Sequence, residues 1–566
     1  MPPIPRDSSF DATLALLTDP YRFIARRCRR LGTDLFQTRI RLETTICMTG
    51  PEAAALFYDP KHFVRAGAAP RRVRKTLFGE GGVQTLDDEP HRHRKAMFLP
   101  LLDDAQVQRL TETFLGGLDA YAHRWAGRRV VLYDALQRIL TAAVCAWAGV
   151  PVSDSQLERR TRELVALFDH AGRVGPLHWW ARVARRRANR WAGDLIDGIR
   201  RGDIHAPEGS MAARVAGHRE RDGRLLSADV AAVELVNVLR PTVAVSVYGT
   251  LAATALHEHP GARARIRDGD TEYLHLFVQE VRRFYPFFPA VAARVRDGFD
   301  WRGYGFTAGT LVMLDLYGTN HDPRVWDDPV EFRPERFRTW NGGAYNFIPQ
   351  GGGDHAVNHR CPGEAITIAL TEATTRFLAS HLTYELPRQD LRIDYTRLPA
   401  LPRSRMVIRV AALLGALVLS PAAHTSAAGL EGALPPAVAT GAQDAAALAP
   451  HEGRAPLLQS GSMGVRSWNE TIDGPFSETA LRRKLEAAGY LVARYTYPPG
   501  TTFPDHVHDM DKIDAVVSGR FRMVVAGHLA VLGPGDWVEV PRGVRHSATV
   551  MGNEPVVSLD AARRPS

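Results

Sequence analysis

From Asp103 to about Pro260 apolar residues recur every three or four positions, the spacing that lays a stripe along a helix, with breaks near Gly149 to Pro151 and Gly172 to Pro176. Upstream the pattern is mixed: a short helix from Ala12 to Leu17, strands around Leu35 to Met48, and a helix from Pro51 to Phe57. Downstream, Ala290 to Val312 alternates as strands do, and Glu364 to Leu378 is again helical. One helix stands apart. It starts at the cap Ser227 and runs to about His257, roughly 30 residues or about 45 Å. From Val243 to Leu256 it has no formal charge, which predicts burial on every face. Arg240 and Pro241 sit in its middle. The proline removes the hydrogen bond to the preceding turn and opens the helix there.

A different pattern begins near Gly464. Ser477 to Gly489 reads as a capped helix. Short strands follow between glycine turns: Leu491 to Tyr497, Ile513 to Val517, Phe521 to Val525, Trp537 to Val540 and Val556 to Leu559. Their spacing predicts a small all-β barrel or sandwich. Between the two patterns, Val410 to Leu419 is apolar without a break and follows basic residues. That is the layout of a signal peptide, placed mid-chain, and it is shorter than the about 20 residues of a membrane span. Residues 424–460 are rich in Ala, Gly and Pro and read as a flexible linker. The expected organisation is a mainly helical domain over 1–408, an apolar segment and linker over 409–463, and a β domain over 464–566. A tether or fusion scar is the favoured reading of the apolar run; membrane association through residues 410–423 is the less favoured one.

Composition adds little to this picture. Of 566 residues, 45% are hydrophobic and 23% charged, as in soluble globular proteins, and the length calls for two or more domains. The net charge of +9 owes much to the cluster Arg182 to Arg190, which reads as a solvated helix face with no nucleic-acid motif beside it. Cys28, Cys47, Cys145 and Cys361 are scattered without metal-like spacing or a disulfide framework, which suits a reducing, cytoplasmic compartment. The N-terminus has no apolar core of the signal-peptide kind.

Candidate chemistry centres on Cys361. A glycine run, Gly351 to Gly353, leads through His359 and Arg360 to this cysteine, and Pro362-Gly363 opens a helix. A thiol at a helix N-terminus beside an arginine is expected to have a lowered pKa and to suit haem-iron ligation. The bland reading is a small buried residue. Arg240 presents a similar choice. It pairs with an internal acid such as Glu234, reaches the surface, or awaits an anionic ligand, since guanidinium matches carboxylate bidentately. Glu280 and Arg283, three apart on one helix, can pair.

Glu280-x-x-Arg283, then Asp327-Asp328-Pro329 with Phe332 to Phe337, then the Cys361 loop occur in an order that resembles a cytochrome P450 over residues 10–408. The resemblance implies a mainly α fold with small β sheets, a bound haem b, Cys361 as its thiolate iron ligand, and Glu280 with Arg283 in a structural network behind it. Two departures narrow the match. The family's distal helix usually carries an acid–alcohol pair for proton relay, and Arg240-Pro241 stands in its place. The cysteine loop is lengthened by Gly351 to His355. Both resemble the fatty-acid peroxygenase branch, which uses hydrogen peroxide and needs no redox partner; Gln84 and His91 to Lys95 match it too. On that resemblance a fatty-acid carboxylate binds Arg240, takes a proton from hydrogen peroxide and returns it to the leaving oxygen. Oxidation then falls near the acid end, at the α or β carbon. Gln84 stands where decarboxylating members tend to have His, which leans the expectation towards hydroxylation with side decarboxylation to alkenes. Arg65, Lys95 and Arg360 are the expected haem-propionate partners. Phe78, Phe168 and Phe288 are expected acyl-chain walls, or plain core. The rival is a dioxygen-dependent monooxygenase with a redox partner, against which Arg240 argues.

Gly500 to Asp514 and Gly535 to His546 resemble the paired motifs of a cupin, a jelly-roll barrel that often holds a metal. His506, His508 and His546 match its three His ligands, a set suited to Fe(II), Zn or Mn. A strand would point His506 and His508 to one face. The usual glutamate ligand falls on Lys512; Asp511 or Asp514 is the candidate substitute. Such a module would be a metal-dependent sensor, a binding module or a second oxygenase.

Overall fold

The computed structural model describes residues 3–340, 342–413, 465–508, 511–526 and 528–563. Two compact units are present, Met1–Ser426 and Ala427–Ser566.

The first unit is built on long helices, among them Asp104–Trp125, Leu132–Ala148, Asp154–Asp169, Pro176–Arg201, Thr271–Phe284 and Glu364–Ser380. Asp103, Ser227 and Asp270 each accept a hydrogen bond from a backbone N–H in the first turn of the helix they precede. The long apolar helix is two helices, Ala228–Val243 and Val245–Glu258, joined at Ala244 just after Pro241. Every residue from Val245 to Leu256 is buried, as the absence of charge predicts. Together the pair is long and apolar enough to cross a membrane, but 83% of its most apolar window is packed inside the protein, as in a core helix.

A five-stranded sheet lies beside the helices in the order Leu35–Ile40, Glu43–Met48, Leu311–Asp315, Ala290–Val295, Phe63–Val64. A three-stranded sheet places Val407–Leu413 between Arg129–Val131 and Leu382–Glu385. This last strand changes the reading of the apolar run. Val410 is buried and pairs with Tyr384, so the start of that run closes a sheet of the helical unit. The remainder of the run and the linker lie outside the described residues.

Helix Pro176–Arg201 also departs from expectation. Arg186, Arg187 and Arg190 are exposed, but Arg185 turns inward and is 3% exposed. Its guanidinium donates to the carbonyls of Leu77 (3.2 Å) and Phe78 (3.4 Å), and burial pulls its pKa down to about 9.

In the second unit, helix Glu478–Ala487 packs Leu481 and Leu485 against Ile513, Ala515 and Trp537. Two sheets follow, one of five strands and one of four. Val516, Phe521, Met523, Val538 and Val550 form an apolar cluster from strands of both. Four strands escaped the sequence pattern: Val465–Ser467, Thr502–His506, His528–Leu532 and His546–Met551.

Candidate active site

A cavity of about 1130 Å³ lies inside the helical unit. Cys361 is on one side, and Arg240, Pro241 and Gln84 also line it. So do Arg65, Lys95, Arg360, Phe78, Phe168 and Phe288. Every residue singled out from the sequence for the reaction, the cofactor or the acyl chain therefore meets one cavity.

The Cys361 loop is held by backbone geometry. Cys361 N–H donates to the Gln350 carbonyl at 3.0 Å. Gly351 has φ +98°, and a Cβ there would meet Tyr58 Oη at 3.0 Å and Arg360 Cα at 3.3 Å. Glycine is required at that close approach. Gln350 is fixed in turn, donating to Thr367 (2.9 Å) and accepting from Arg282 (3.0 Å).

Two expectations about the cysteine need correction. Burial outweighs the helix end, so the thiol pKa is raised; the Gly363 N–H and Lys95 pull the other way. The Arg360 charge is already engaged. Its Nε donates to Glu364 at 2.7 Å, and Glu364 also takes Arg282. Arg360 NH1 donates to the Gly353 carbonyl at 3.2 Å.

Arg240 is 6% exposed. Its Nε has no hydrogen-bond partner, and among the described residues no carboxylate pairs with its guanidinium. Burial lowers its pKa to about 10, so it stays charged at neutral pH. Glu234 is not its partner. Glu234 accepts from Arg94 (2.9 Å), from Val83 N–H (2.8 Å) and from Asn237 (3.3 Å). Asn237 also donates to Gln84 Oε1 at 3.1 Å, tying that side chain to the arginine-bearing helix.

The other cations differ in how they are held. Lys95 donates to the carbonyls of Asn358 and Arg360, and burial lowers its pKa to about 8. Arg65 donates to the Ala292 carbonyl at 2.9 Å and lies over the Phe57 ring at 4.3 Å. Beside them His91 stacks on His359, centroids 3.9 Å apart, and His359 reaches Asp87 at 3.7 Å. Burial drops His91 to about 3 and His359 to about 4, so both are neutral. His359, Asp87 and Asn237 were not assigned roles from sequence. Only their partners across the fold mark them out.

Outside the cavity lining, Glu280 and Arg283 are fully buried and joined by two 2.8 Å bonds. Arg283 also donates to the carbonyls of Asn320, Pro329 and Glu331, and Arg336 joins Glu280 at 3.2 Å. This is an interior network, not an exposed helix pair.

The family description Cytochrome P450 matches residues 269–391, and Cupin domain matches residues 493–561. A solved variant of cytochrome P450SP alpha is 53% identical, with TM-score 0.69, covering 70% of this chain and 98% of that one. The chain belongs to the cytochrome P450 family. Cytochrome P450EX alpha, solved with myristic acid, is 41% identical (TM-score 0.70; 72% of this chain, 99% of that one). Ligand-free cytochrome P450 OleT is 34% identical (TM-score 0.71; 73% and 100%). Among curated proteins, cytochrome P450 71D18 of Mentha gracilis is 32% identical over 152 residues, which are 25% of this chain and 30% of that protein. The chain thus spans about a third of the length of the plant relatives it matches.

The likeness to the peroxygenase branch of the P450 family and the fused cupin are both borne out. As a P450 the chain is a haem-dependent oxidoreductase with a cysteine thiolate on the iron. The cavity fits that cofactor. It offers one cysteine, basic side chains for the propionates, and buried polar atoms without protein partners at Arg240 Nε, Asn237 Oδ1 and Tyr248 Oη. Cys361 would hold the haem iron, whose charge would favour the thiolate against the burial that raises its pKa.

In the cupin domain the register pairs His506 with His546 across two strands. His508 lies past the end of its strand, so strand alternation does not govern its direction. The His508 and His546 rings are 4.9 Å apart. His546 Nδ1 contacts the Val544 carbonyl at 3.1 Å, which favours Nε2 as its ligating nitrogen. The side chain of His506 is outside the described residues. Lys512, at the expected glutamate position, pairs with Asp514 (2.8 Å) and Asp560 (3.0 Å). Asp514 is therefore taken up by Lys512, and Asp511 accepts from Arg542 N–H at 2.9 Å; neither acts as a ready replacement ligand.

Proposed function

We propose that the helical unit hydroxylates long-chain fatty acids at the α or β carbon with hydrogen peroxide, and that the substrate's own carboxylate, held by Arg240, is the acid–base group. The observation that carries this is a buried, charged guanidinium on a large cavity with no carboxylate among the described residues to neutralise it. Burying such a charge unpaired costs several kcal/mol or more, which an incoming carboxylate offsets.

Bound haem supplies the oxidising chemistry at the cysteine side of the cavity. The chain's residues supply the rest. Arg240 fixes the carboxylate in two dimensions, and Pro241, without an N–H, opens the helix where the two oxygens arrive. The carboxylate accepts the proton of hydrogen peroxide and returns it to the departing oxygen. Gln84, restrained by Asn237, presents an amide that cannot cycle a proton. Phe78, Phe168 and Phe288 give the acyl chain an apolar wall. Without a fatty acid the acid–base group is missing, so an empty site leaves peroxide unused and no electron-donor protein is called for.

The test is purified, haem-loaded protein with a long-chain fatty acid and hydrogen peroxide, without reductase. A 2- or 3-hydroxy acid supports the reading. Turnover that requires dioxygen and an electron donor overturns it and favours the dioxygen-dependent monooxygenase reading. For the cupin domain we propose a metal-binding module using His506, His508 and His546.

A further inference from the structure

Helix Asp88–Ala96 has two working faces. His91 and Lys95 line the cavity. His93 and Arg94 reach instead to the hairpin 218–226, which leads directly into Ser227, the cap of the arginine-bearing helix. That hairpin is closed by Glu220 N–H donating to the Arg224 carbonyl (2.8 Å) and Leu226 N–H donating to the His218 carbonyl (3.1 Å).

Here His93, His218 and Glu220 each offer one ligand atom, and the three atoms lie within 4.8 Å of one another. The two rings are 5.1 Å apart and tilted at 46° rather than stacked. His93 Nε2 is 2.8 Å from the Arg219 carbonyl. A proton there fixes the tautomer and leaves the lone pair on Nδ1, the second-sphere arrangement common to metal-bound imidazoles. His218 Nε2 is buried and has no hydrogen-bond partner. Glu220 bonds Arg94 through Oε1 only, so its second oxygen remains for a cation. Arg94 does not depend on Glu220 alone, since Glu234 also holds it at 2.9 Å.

We propose that His93, His218 and Glu220 form a binding site for a divalent cation of the zinc type, clasping the cavity-lining helix to the hairpin in front of the Arg240 helix. Two imidazoles and one carboxylate suit zinc, with water completing the shell. Magnesium and calcium prefer all-oxygen shells and do not fit. The site would also act on the cavity at a distance. A cation drawing on Glu220 shifts the share of Arg94 that falls to Glu234, and Glu234 and Asn237 together hold the loop that carries Gln84.

The experiment uses full-length, haem-loaded protein in an His546→Ala background, to remove a cupin ligand. It is stripped with chelator and titrated with zinc chloride while bound zinc per haem iron is measured. One equivalent is expected at micromolar zinc. His93→Ala and His218→Gln, each added to that background, should weaken this binding about tenfold or more and abolish the zinc-dependent rise in melting temperature. An unchanged haem-to-protein ratio and visible spectrum shows that the variants are folded. Equal zinc uptake with and without the substitutions, or no uptake by the background protein, overturns the proposal.

Discussion

Arg240 is the residue on which substrate choice turns. Its side chain is charged, buried and without a carboxylate partner among the described residues, whereas two other arginines of the cavity are engaged: Arg65 by a carbonyl and aromatic faces, Arg360 by Glu364. Replacing it with alanine should leave haem bound, because none of the haem-side contacts described above passes through it. Peroxide-driven turnover should fall by about 100- to 10,000-fold, the range for loss of a positioned acid–base group. The check is single-substrate kinetics beside the visible spectrum; full activity would remove the anchoring role. The sequence made Arg240 conspicuous, because a charge beside a proline in an apolar helix needs a reason. It could not exclude Glu234 as that reason. Glu234 is six positions earlier, and only the fold directs it to Arg94 and the Gln84 loop. The cysteine was legible as a residue but not in its electrostatics, since the depth of its burial depends on distant chain, whereas the pairing of Arg360 with Glu364 four residues on is a local signal.

At the scale of elements, two buried acids can be tested separately. Glu280 is fully buried and binds Arg283 and Arg336. Glu280→Ala strands the Arg283 guanidinium and should cost about 3–5 kcal/mol. The urea unfolding midpoint should fall, with haem lost at lower denaturant. Asp315 accepts the Gly318 N–H in the turn after strand Leu311–Asp315, yet burial pushes its carboxyl up to about 7. An unfolded aspartate titrates near ~3.9, so between these values the folded chain holds the extra proton. This contribution is fully present below the unfolded pKa and is lost as pH rises through the folded one. Asp315→Asn keeps the shape and should flatten the decline of the melting temperature between about pH 4 and pH 7. The helices were readable because their apolar period and caps are local. The His-bearing strands of the cupin domain were not, because Thr502–His506 is polar and includes Pro504, which masks alternation.

For the whole molecule, every residue that lines the cavity lies between Thr13 and Leu398. A chain ended after Ser426 should therefore keep haem and turnover within about twofold of the full protein. Ending it at residue 408 cuts into strand Val407–Leu413, which pairs with two other strands, and should lower the melting temperature markedly. Comparing the two truncations by melting and haem content checks both. The apolar run misled as a sequence because its first residues look like a leader, while in the fold Val410 is simply a buried position of a central strand.

The most direct measurement is the source of the inserted oxygen. The full-length protein is incubated under argon with a long-chain fatty acid and isotopically labelled hydrogen peroxide, without any reductase, and the products are analysed by mass spectrometry. A 2- or 3-hydroxy acid carrying the label, formed by the native chain and lost in Arg240→Ala, is the predicted result. Product that forms only with dioxygen and an electron donor, or labelled product undiminished in Arg240→Ala, would contradict it.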